Sequence, residues 1–176
     1  YLDHLHENVC QGDDENYRWL GRWAAHQVRH PGEVGQSAVV VRGLKGVGKN
    51  VFAEGFCDLW GQHGIVVTSE HNVTGNFNAH LRDKCVLVSD EAKGVDKVEV
   101  PNLLRHIIIS NESHIVSVTG DERRFFVLEC GNAHRNDVPY FAAIQKQLNA
   151  GGYGALLYHL LEEVDLAGFD VRNPPH

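Results

Sequence analysis

A glycine-rich segment that ends in lysine contains the residues of this chain best suited to bind phosphate. It reads Gly43-Leu44-Lys45-Gly46-Val47-Gly48-Lys49, and it lies between the apolar run 38–41 and a predicted helix. Glycines allow the tight turn that directs successive backbone N–H groups at phosphate oxygens, and a helix N-terminus adds partial positive charge. Because Lys49 can reach the terminal phosphates, the segment predicts a phosphate-binding loop with ATP as its ligand.

The residue after Lys49 departs from the usual pattern of such loops. A Ser or Thr hydroxyl normally ligates Mg²⁺ at this position, but the chain has Asn50. The amide oxygen of Asn50 is a neutral ligand that would hold Mg²⁺ weakly or through water. The sequence therefore leaves open how much Asn50 contributes to a magnesium site.

Two adjacent carboxylates follow the next strongly apolar segment. The run 85–89 predicts a buried strand, and Asp90 and Glu91 come directly after it. In a nucleotide hydrolase the first carboxylate holds Mg²⁺ and the second polarises the attacking water. An isolated Asp-Glu pair is more often a solvated turn, but its position downstream of the glycine-rich segment favours the catalytic interpretation.

Two further predicted strands are flanked by polar side chains, one at its end and the other at its start. Asn111 follows the apolar run 107–109 and is expected to orient water near a γ-phosphate. Arg123 and Arg124 precede the strand-like run 125–128, and arginine neutralises charge that develops on a transferring phosphoryl group, often from a neighbouring subunit. The alternatives are an ordinary strand-ending turn for Asn111 and a surface salt-bridge cluster for the arginines.

Composition indicates a single globular domain. The chain has 176 residues, of which 43% are hydrophobic and 22% charged, and the longest apolar runs are too short to cross a membrane. A net charge of −7 disfavours nucleic-acid binding by the whole surface, so any such contact must be local. We expect an intracellular, cytoplasmic protein with reduced cysteines that include buried Cys57 and Cys85. The lack of methionine suggests a fragment of a longer protein.

The pattern of elements predicts an α/β fold with a mostly parallel central sheet. Helices and strands alternate in a way that implies parallel strands covered by helices. We expect an N-terminal helical segment over 1–36, an ATPase core over 37–130 and a C-terminal helical segment over 131–176. The predicted helices cover 15–30, 76–82, 138–149 and 153–163, with another after Lys49, and the predicted strands cover 37–42, 65–67, 85–89, 98–100, 105–110 and 125–129.

Five ordered motifs resemble the helicase portion of phage and plasmid primase-helicase proteins. These proteins belong with the viral superfamily 3 helicases and the virulence-associated E type ATPases. The resemblance runs from about residue 8 to residue 173, and its motifs are segments 43–50, 74–83, 86–92, 109–112 and 121–128. It implies an AAA+-like P-loop ATPase that forms a ring, often a hexamer, and moves along single-stranded DNA. It also implies an upstream primase-polymerase domain in the full-length protein and a role in DNA replication.

The resemblance assigns roles by position. Residues 43–49 match the phosphate loop, Asp90 and Glu91 the acidic motif, and Asn111 the polar sensor. The arginine finger matches either Arg123 or Arg124. Two lysines match the family's DNA-contacting hairpin, with a solvated turn as the alternative, and these are Lys93 and Lys97.

The interval from Glu91 to Asn111 is shorter than in relatives, which place a helix and flanking loops there. Either a segment near residues 92 and 93 is missing from the sequence, or the chain carries a real deletion. A real deletion would favour a nonhydrolysing, nucleotide-dependent assembly module over a motor. A P-loop kinase of a small substrate is a third hypothesis.

Overall fold

A parallel β-sheet forms the centre of the fold. The structure is a computed structural model that describes residues 1–68, 83–90, 103–111 and 124–175. Within these ranges the five strands are arranged in the order β2-β3-β4-β1-β5, and every pair is parallel. The strands are β1 (Ala38–Arg42), β2 (Gly64–Val67), β3 (Val86–Asp90), β4 (Arg105–Ser110) and β5 (Phe125–Glu129).

The inner strands are buried on both faces. Val39 and Ile107 on one face of the sheet, and Val40 and Ile108 on the other, are at most 5% exposed. Near-continuous runs of β-branched residues are typical of parallel strands that helices cover on both sides. The predicted α/β class with a parallel sheet is therefore confirmed.

Helices precede β1, connect β1 to β2, and follow β5 in sequence. Helix α1 (Leu2–His4) continues into a π-helical turn, Leu5–Val9, and α2 spans Asp14–Arg29. Helix α3 (Lys49–Asp58) follows β1, and a short 3₁₀ helix (Gly61–His63) precedes β2. The C-terminal part consists of α4 (Val138–Gln147), a π-helical turn (Leu148–Gly152), α5 (Tyr153–Tyr158) and a second π-helical turn (His159–Glu163).

Helix α2 anchors the N-terminal part to the sheet. Its cap is Asp13, whose Oδ1 accepts hydrogen bonds from the backbone of Glu15 and Asn16 at 2.9 Å each. Trp23 is fully buried against the ring of Phe56, and its indole donates to the carbonyl of Ser37 at 3.1 Å. The apolar stripe predicted for this helix therefore faces the common core.

Arg105 ties the end of α2 to the start of β4. Its guanidinium is fully buried and donates to the Gln27 side chain at 3.0 Å and to the carbonyl oxygens of His30 and Glu33 at 2.7 and 3.1 Å. Burial lowers the pKa of Arg105 from its usual value. These bonds hold the chain beyond the end of the helix, where the His30 carbonyl also accepts from the Glu33 backbone at 3.1 Å.

Most element predictions are confirmed, and some are corrected. The helix over Leu2–Val9 was not predicted, because its short segment lacks a long apolar period. Cys85 is half-buried rather than buried, since it precedes β3 instead of lying inside it, whereas Cys57 is buried. The break predicted near Gly151 is confirmed by its φ of 98°. The predicted helix 76–82 and strand 98–100 lie outside the described residues.

None of the helices in the described ranges combines the length and apolar character needed to span a membrane.

Candidate functional site

The carboxyl ends of the parallel strands lie at one edge of the sheet. Arg42 at the end of β1 pairs with Ser110 of β4, and Asp90 at the end of β3 pairs with Ile109 of β4. The residues that follow these strands must therefore meet at this edge. They are the segment Gly43–Lys49, called the glycine loop below, together with Asp90 and Asn111.

Two glycines in the loop have backbone conformations that other residues rarely adopt. Gly46 has a φ of 81° and Gly48 a φ of 94°. A Cβ atom at Gly48 would lie 2.6 Å from the His4 ring and 2.5 Å from the Phe141 ring, and one at Gly46 would collide with the Asn136 side chain. The loop therefore requires glycine at both positions, for its turn and for its close neighbours.

Lys49 starts helix α3, and its side chain folds back across the loop. The residue is only 4% exposed. Its Nζ donates to the carbonyl oxygens of Gly43 and Leu44, both at 2.8 Å, and to Asn111 Oδ1 at 3.0 Å. The structure thus brings Lys49 and Asn111 together, although they are far apart in the chain. These contacts hold the ammonium group at the carboxyl edge of the sheet, between the glycine loop and the end of β4.

The next residue of α3 contacts the acidic strand end. Asn50 Nδ2 donates to Asp90 Oδ2 at 2.8 Å and lies 3.4 Å from Glu54 Oε1. Asp90 is half-buried at the end of β3. One carboxylate and one amide therefore lie side by side next to the start of the helix, and both carry oxygen ligands of the type that Mg²⁺ prefers.

The glycine loop is also held from its outer side. The backbone N–H of Asn136 donates to the Gly46 carbonyl at 2.8 Å, Asn8 Nδ2 donates to the Val47 carbonyl at 2.6 Å, and His4 Nε2 bonds the Gly48 carbonyl at 3.0 Å. Because a carbonyl only accepts, His4 Nε2 must carry the proton. Burial lowers the pKa of His4, which favours the neutral ring that this bond uses.

Sequence reasoning did not identify His4, Asn8 or Asn136 as part of the site. The contacts of His4 and Asn8 with the loop join residues more than 35 positions apart. The signal that was available is their spacing of four residues, which places them on one face of a helix. That spacing has meaning only once residues 2–9 are known to be helical.

Aromatic and thiol groups pack close to the side of the glycine loop whose carbonyl groups are hydrogen-bonded. The rings of His134 and Tyr140 stack in parallel at 3.6 Å, and the Tyr140 hydroxyl lies 3.4 Å from His4 Nδ1. The Cys130 thiol lies 3.5 Å from the Val47 carbonyl, and burial raises the pKa of Cys130 to about 11. The thiol therefore stays neutral and acts as a weak donor under the loop.

The structure does not bring Arg124 to the glycine loop of the same chain. Arg124 is exposed and precedes β5, whose first residue pairs with Ala38 at the start of β1. The length of β1, five residues at about 3.3 Å each, separates this end of the sheet from the loop. An arginine at this position can serve a nucleotide site only if that site belongs to another copy of the chain.

Four of the predicted site residues lie outside the described residues: Glu91, Lys93, Lys97 and Arg123. Within the described ranges, no three His, Cys, Asp or Glu side chains are grouped to hold a metal ion. Leu44 and Lys45 are exposed on the loop, while Val47 is buried.

Known structures share this fold. No family model and no curated protein matches the chain. Two apo structures of the C-terminal region of NrS-1 align with 99% of the chain, at TM-scores of 0.79 and 0.78, each with 19% identity. A third structure of that region, also apo and in its A form, has a TM-score of 0.77 and 20% identity. The chain covers 47 to 48% of these proteins, so it spans about half their length, and at this identity the likeness shows the fold alone.

Proposed function

We propose that the chain is the ATP-hydrolysing part of an oligomeric, AAA+-like P-loop helicase that moves along single-stranded DNA. The observation that carries the proposal is the position of Lys49 Nζ, fixed between the glycine loop and Asn111 at the edge of the sheet where Asp90 also ends. A buried ammonium group beside backbone N–H groups and a helix N-terminus suits a chain of phosphates. The fold shared with the C-terminal region of NrS-1 supports the proposal at the level of architecture.

In this proposal the glycine loop binds the phosphates. The N-terminal end of α3 and the loop N–H groups supply partial positive charge, and Lys49 supplies a full charge. Lys49 Nζ exchanges some of its present carbonyl contacts for phosphate oxygens. Since Asn111 Oδ1 already contacts Lys49 at 3.0 Å, Asn111 stays next to the terminal phosphate, where it orients the attacking water.

The residues beside α3 fit a magnesium ion. Mg²⁺ in nucleotide sites takes one or two protein oxygens and completes its shell with phosphate oxygens and water, so a cluster of three acidic ligands is not needed. Asp90 provides a carboxylate, and Asn50 provides an amide oxygen once its side chain turns over. When bound, Mg²⁺ neutralises charge on the phosphates. The protein's part is to hold Asp90 at the strand end and Asn50 at the first turn of α3.

Hydrolysis also requires a base and a group that stabilises developing charge. Glu91 follows Asp90 directly in sequence and is proposed as the base that polarises water. Arg123 or Arg124 of a neighbouring copy is proposed to stabilise the charge that develops on the transferring phosphoryl group. Because Arg124 lies at the opposite end of the sheet, the arrangement needs an oligomer, which we propose to be a hexameric ring.

The contact with single-stranded DNA is assigned to a local patch. Lys93 and Lys97 are proposed to meet backbone phosphates inside the ring. A local patch is consistent with the net charge of −7, which makes the rest of the surface unfavourable for DNA. In the full-length protein, a primase-polymerase domain is proposed to precede this part.

The test of the proposal is the Lys49→Ala variant. Loss of the ammonium group is expected to weaken ATP binding by roughly 10- to 100-fold and to abolish measurable turnover, because a charge-assisted contact is lost. Binding is measured by calorimetry with Mg²⁺ and ATP, and turnover by phosphate release. The control is Lys146→Ala, which removes an exposed lysine of α4. Normal ATP binding by Lys49→Ala would refute the proposal.

One observation favours a second candidate, a nucleotide-dependent assembly module without hydrolysis. Asn50 directs an amide N–H at Asp90 instead of offering a hydroxyl to Mg²⁺. In such a module ATP would hold subunits together and remain intact. Phosphate release that single-stranded DNA stimulates distinguishes the two functions, since only a motor shows it.

A further inference from the structure

Three successive carbonyl groups of the glycine loop accept hydrogen bonds from residues outside the loop. Gly46 accepts from the Asn136 backbone, Val47 from the Asn8 side chain, and Gly48 from the His4 side chain. Gly48 also accepts from the Val51 backbone at 3.1 Å, so both lone pairs of its oxygen are occupied.

These bonds also determine where the N–H groups of the loop point. The chain has no cis peptide bonds among its described residues, and in a planar trans peptide the C=O and the following N–H point in opposite directions. A donor that holds the Val47 carbonyl therefore turns the Gly48 N–H to the other side, and a donor on the Gly48 carbonyl does the same for the Lys49 N–H. Consecutive N–H groups on one side form the concave site that binds anions.

Two of the three donors to these carbonyl groups lie in one short helical segment, Leu2–Val9. His4 and Asn8 are four residues apart, and they are 0% and 1% exposed. Leu5 and Val9 of the same segment are buried in the main core, which fixes how far the two side chains reach. Tyr1 adds a bond from its hydroxyl to the Phe52 carbonyl of α3 at 2.6 Å, so the N-terminal segment holds the loop and the helix behind it.

The Asn8 side chain shows that stability alone does not explain this arrangement. Its Nδ2 donates to the Val47 carbonyl, but its Oδ1 is buried without a hydrogen-bond partner among the described residues. A buried acceptor without a partner costs free energy. An apolar side chain of similar size would avoid that cost but would leave the Val47 carbonyl with the weak Cys130 thiol as its donor, so the net change in stability would be small. The chain therefore keeps the Asn8 amide as a donor to the loop, although the oxygen of the same amide has no partner among the described residues.

We infer that His4 and Asn8 are positioning residues that hold the glycine loop in its anion-binding conformation by bonding its carbonyl oxygens from behind. The inference rests on the proposed function, because it concerns the same phosphate site. Neither residue touches the phosphates. Their effect is on affinity: without them the loop samples other peptide orientations, and each binding event must order it again.

The test compares variants that remove each donor and keep its volume. Asn8→Leu removes the amide, and His4→Phe removes the ring N–H while it keeps an aromatic ring against Phe141. His4→Gln restores a donor at a similar reach. Val9→Ala is the control, because it weakens the packing of the same segment while its side chain has no group that could donate to the loop carbonyls. Each variant is titrated with Mg²⁺ and ATP, and separately with inorganic tripolyphosphate, and its thermal unfolding is recorded.

The expected result separates affinity from stability. Asn8→Leu and His4→Phe should each bind ATP and tripolyphosphate about tenfold more weakly, with Asn8→Leu unfolding at nearly the wild-type temperature. His4→Gln should recover most of the affinity, and Val9→Ala should lose stability but not affinity. The inference is overturned if the donor variants bind as the wild type does, or if affinity simply follows the unfolding temperature across all variants. A wild type that binds neither probe would instead refute the proposed function.

Discussion

The side-chain amide of Asn50 donates a 2.8 Å hydrogen bond to the carboxylate of Asp90. This bond joins the first turn of α3 to the end of β3 across the carboxyl edge of the sheet. Asn50 lies where a magnesium-binding hydroxyl is usual, so the amide competes for the carboxylate that a metal would use. Under the proposed function, the magnesium dependence of ATP binding should therefore change with the residue at position 50.

Replacement of Asn50 by Thr should increase the apparent affinity for Mg²⁺. The Thr hydroxyl is a good ligand for Mg²⁺. Because the Thr side chain is too short to bond Asp90, the carboxylate is free to bind the metal. The concentration of Mg²⁺ that gives half-maximal ATP binding is expected to fall by about three- to tenfold, as measured by calorimetry over a magnesium series. Glu54→Gln is the control, since Glu54 is the other neighbour of the amide. An unchanged magnesium dependence in Asn50→Thr would place the metal elsewhere.

The Asn111→Asp variant should make the protein without ligand more stable and its nucleotide complex weaker. A carboxylate 3.0 Å from Lys49 Nζ would form a part-buried ion pair in place of a neutral hydrogen bond. The same negative charge would repel the terminal phosphate and occupy the ammonium group. We expect a higher unfolding temperature and an ATP affinity at least about tenfold lower.

The matched control for this position is Asn111→Ala, which removes the contact without adding charge. It should lower the unfolding temperature slightly and slow turnover more than it weakens binding, since its proposed role is to orient water. If both variants bind ATP as the wild type does, the terminal phosphate does not lie beside Lys49 and Asn111.

The sequence allowed much of the fold to be predicted because its signals are local. Runs of β-branched residues such as 107–109 identify buried strands, and their alternation with helices implies parallel pairing. Parallel strands end at one edge, so the meeting of Lys49, Asp90 and Asn111 follows from the strand assignments alone.

The remaining parts of the site depend on contacts that no local pattern encodes. His4 bonds Gly48 across 44 positions and Asn8 bonds Val47 across 39, through a segment too short to show a helical period. The boundary of β3 was misjudged by one residue at its start, which is why Cys85 is half-buried instead of buried. Asn136 donates to the loop through its backbone N–H, and its left-handed φ of 60° reflects a local preference of Asn that does not reveal which segment it contacts.

Protein stability should decrease below neutral pH, in part through His106. Burial lowers the pKa of His106 to about 4 from its usual 6.5, and its Nε2 lies 2.8 Å from Ser89 Oγ. Between these pKa values the unfolded chain binds a proton that the folded chain does not, so stability is full above pH 6.5 and falls as the pH drops toward 4. At about pH 5 the loss should be on the order of 2 kcal/mol.

The measurement for His106 is urea unfolding at about pH 7.5 and about pH 5, with the wild type compared with His106→Gln. Glutamine keeps a hydrogen bond to Ser89 but does not titrate. Since burial also lowers the pKa of His4 and His26, the variant should retain part of the pH dependence. The same pH dependence in both proteins would contradict the assignment to His106.

Arg123 or Arg124 should act on the nucleotide site of a neighbouring copy. In its own chain Arg124 lies beside the start of β1, at the opposite end of the sheet from the glycine loop. Arg124→Ala and Arg123→Ala are therefore compared as matched variants. The variant that removes the arginine finger is expected to abolish turnover but to leave ATP binding within about threefold of the wild type, because the finger contributes only when charge develops on the phosphoryl group. That variant is then mixed in varying ratios with Lys49→Ala. In mixed oligomers some interfaces again pair an intact glycine loop with an intact arginine, so part of the ATPase activity should return. No recovery at any ratio, together with activity in a dilute monomer, would mean that the site is complete within one chain.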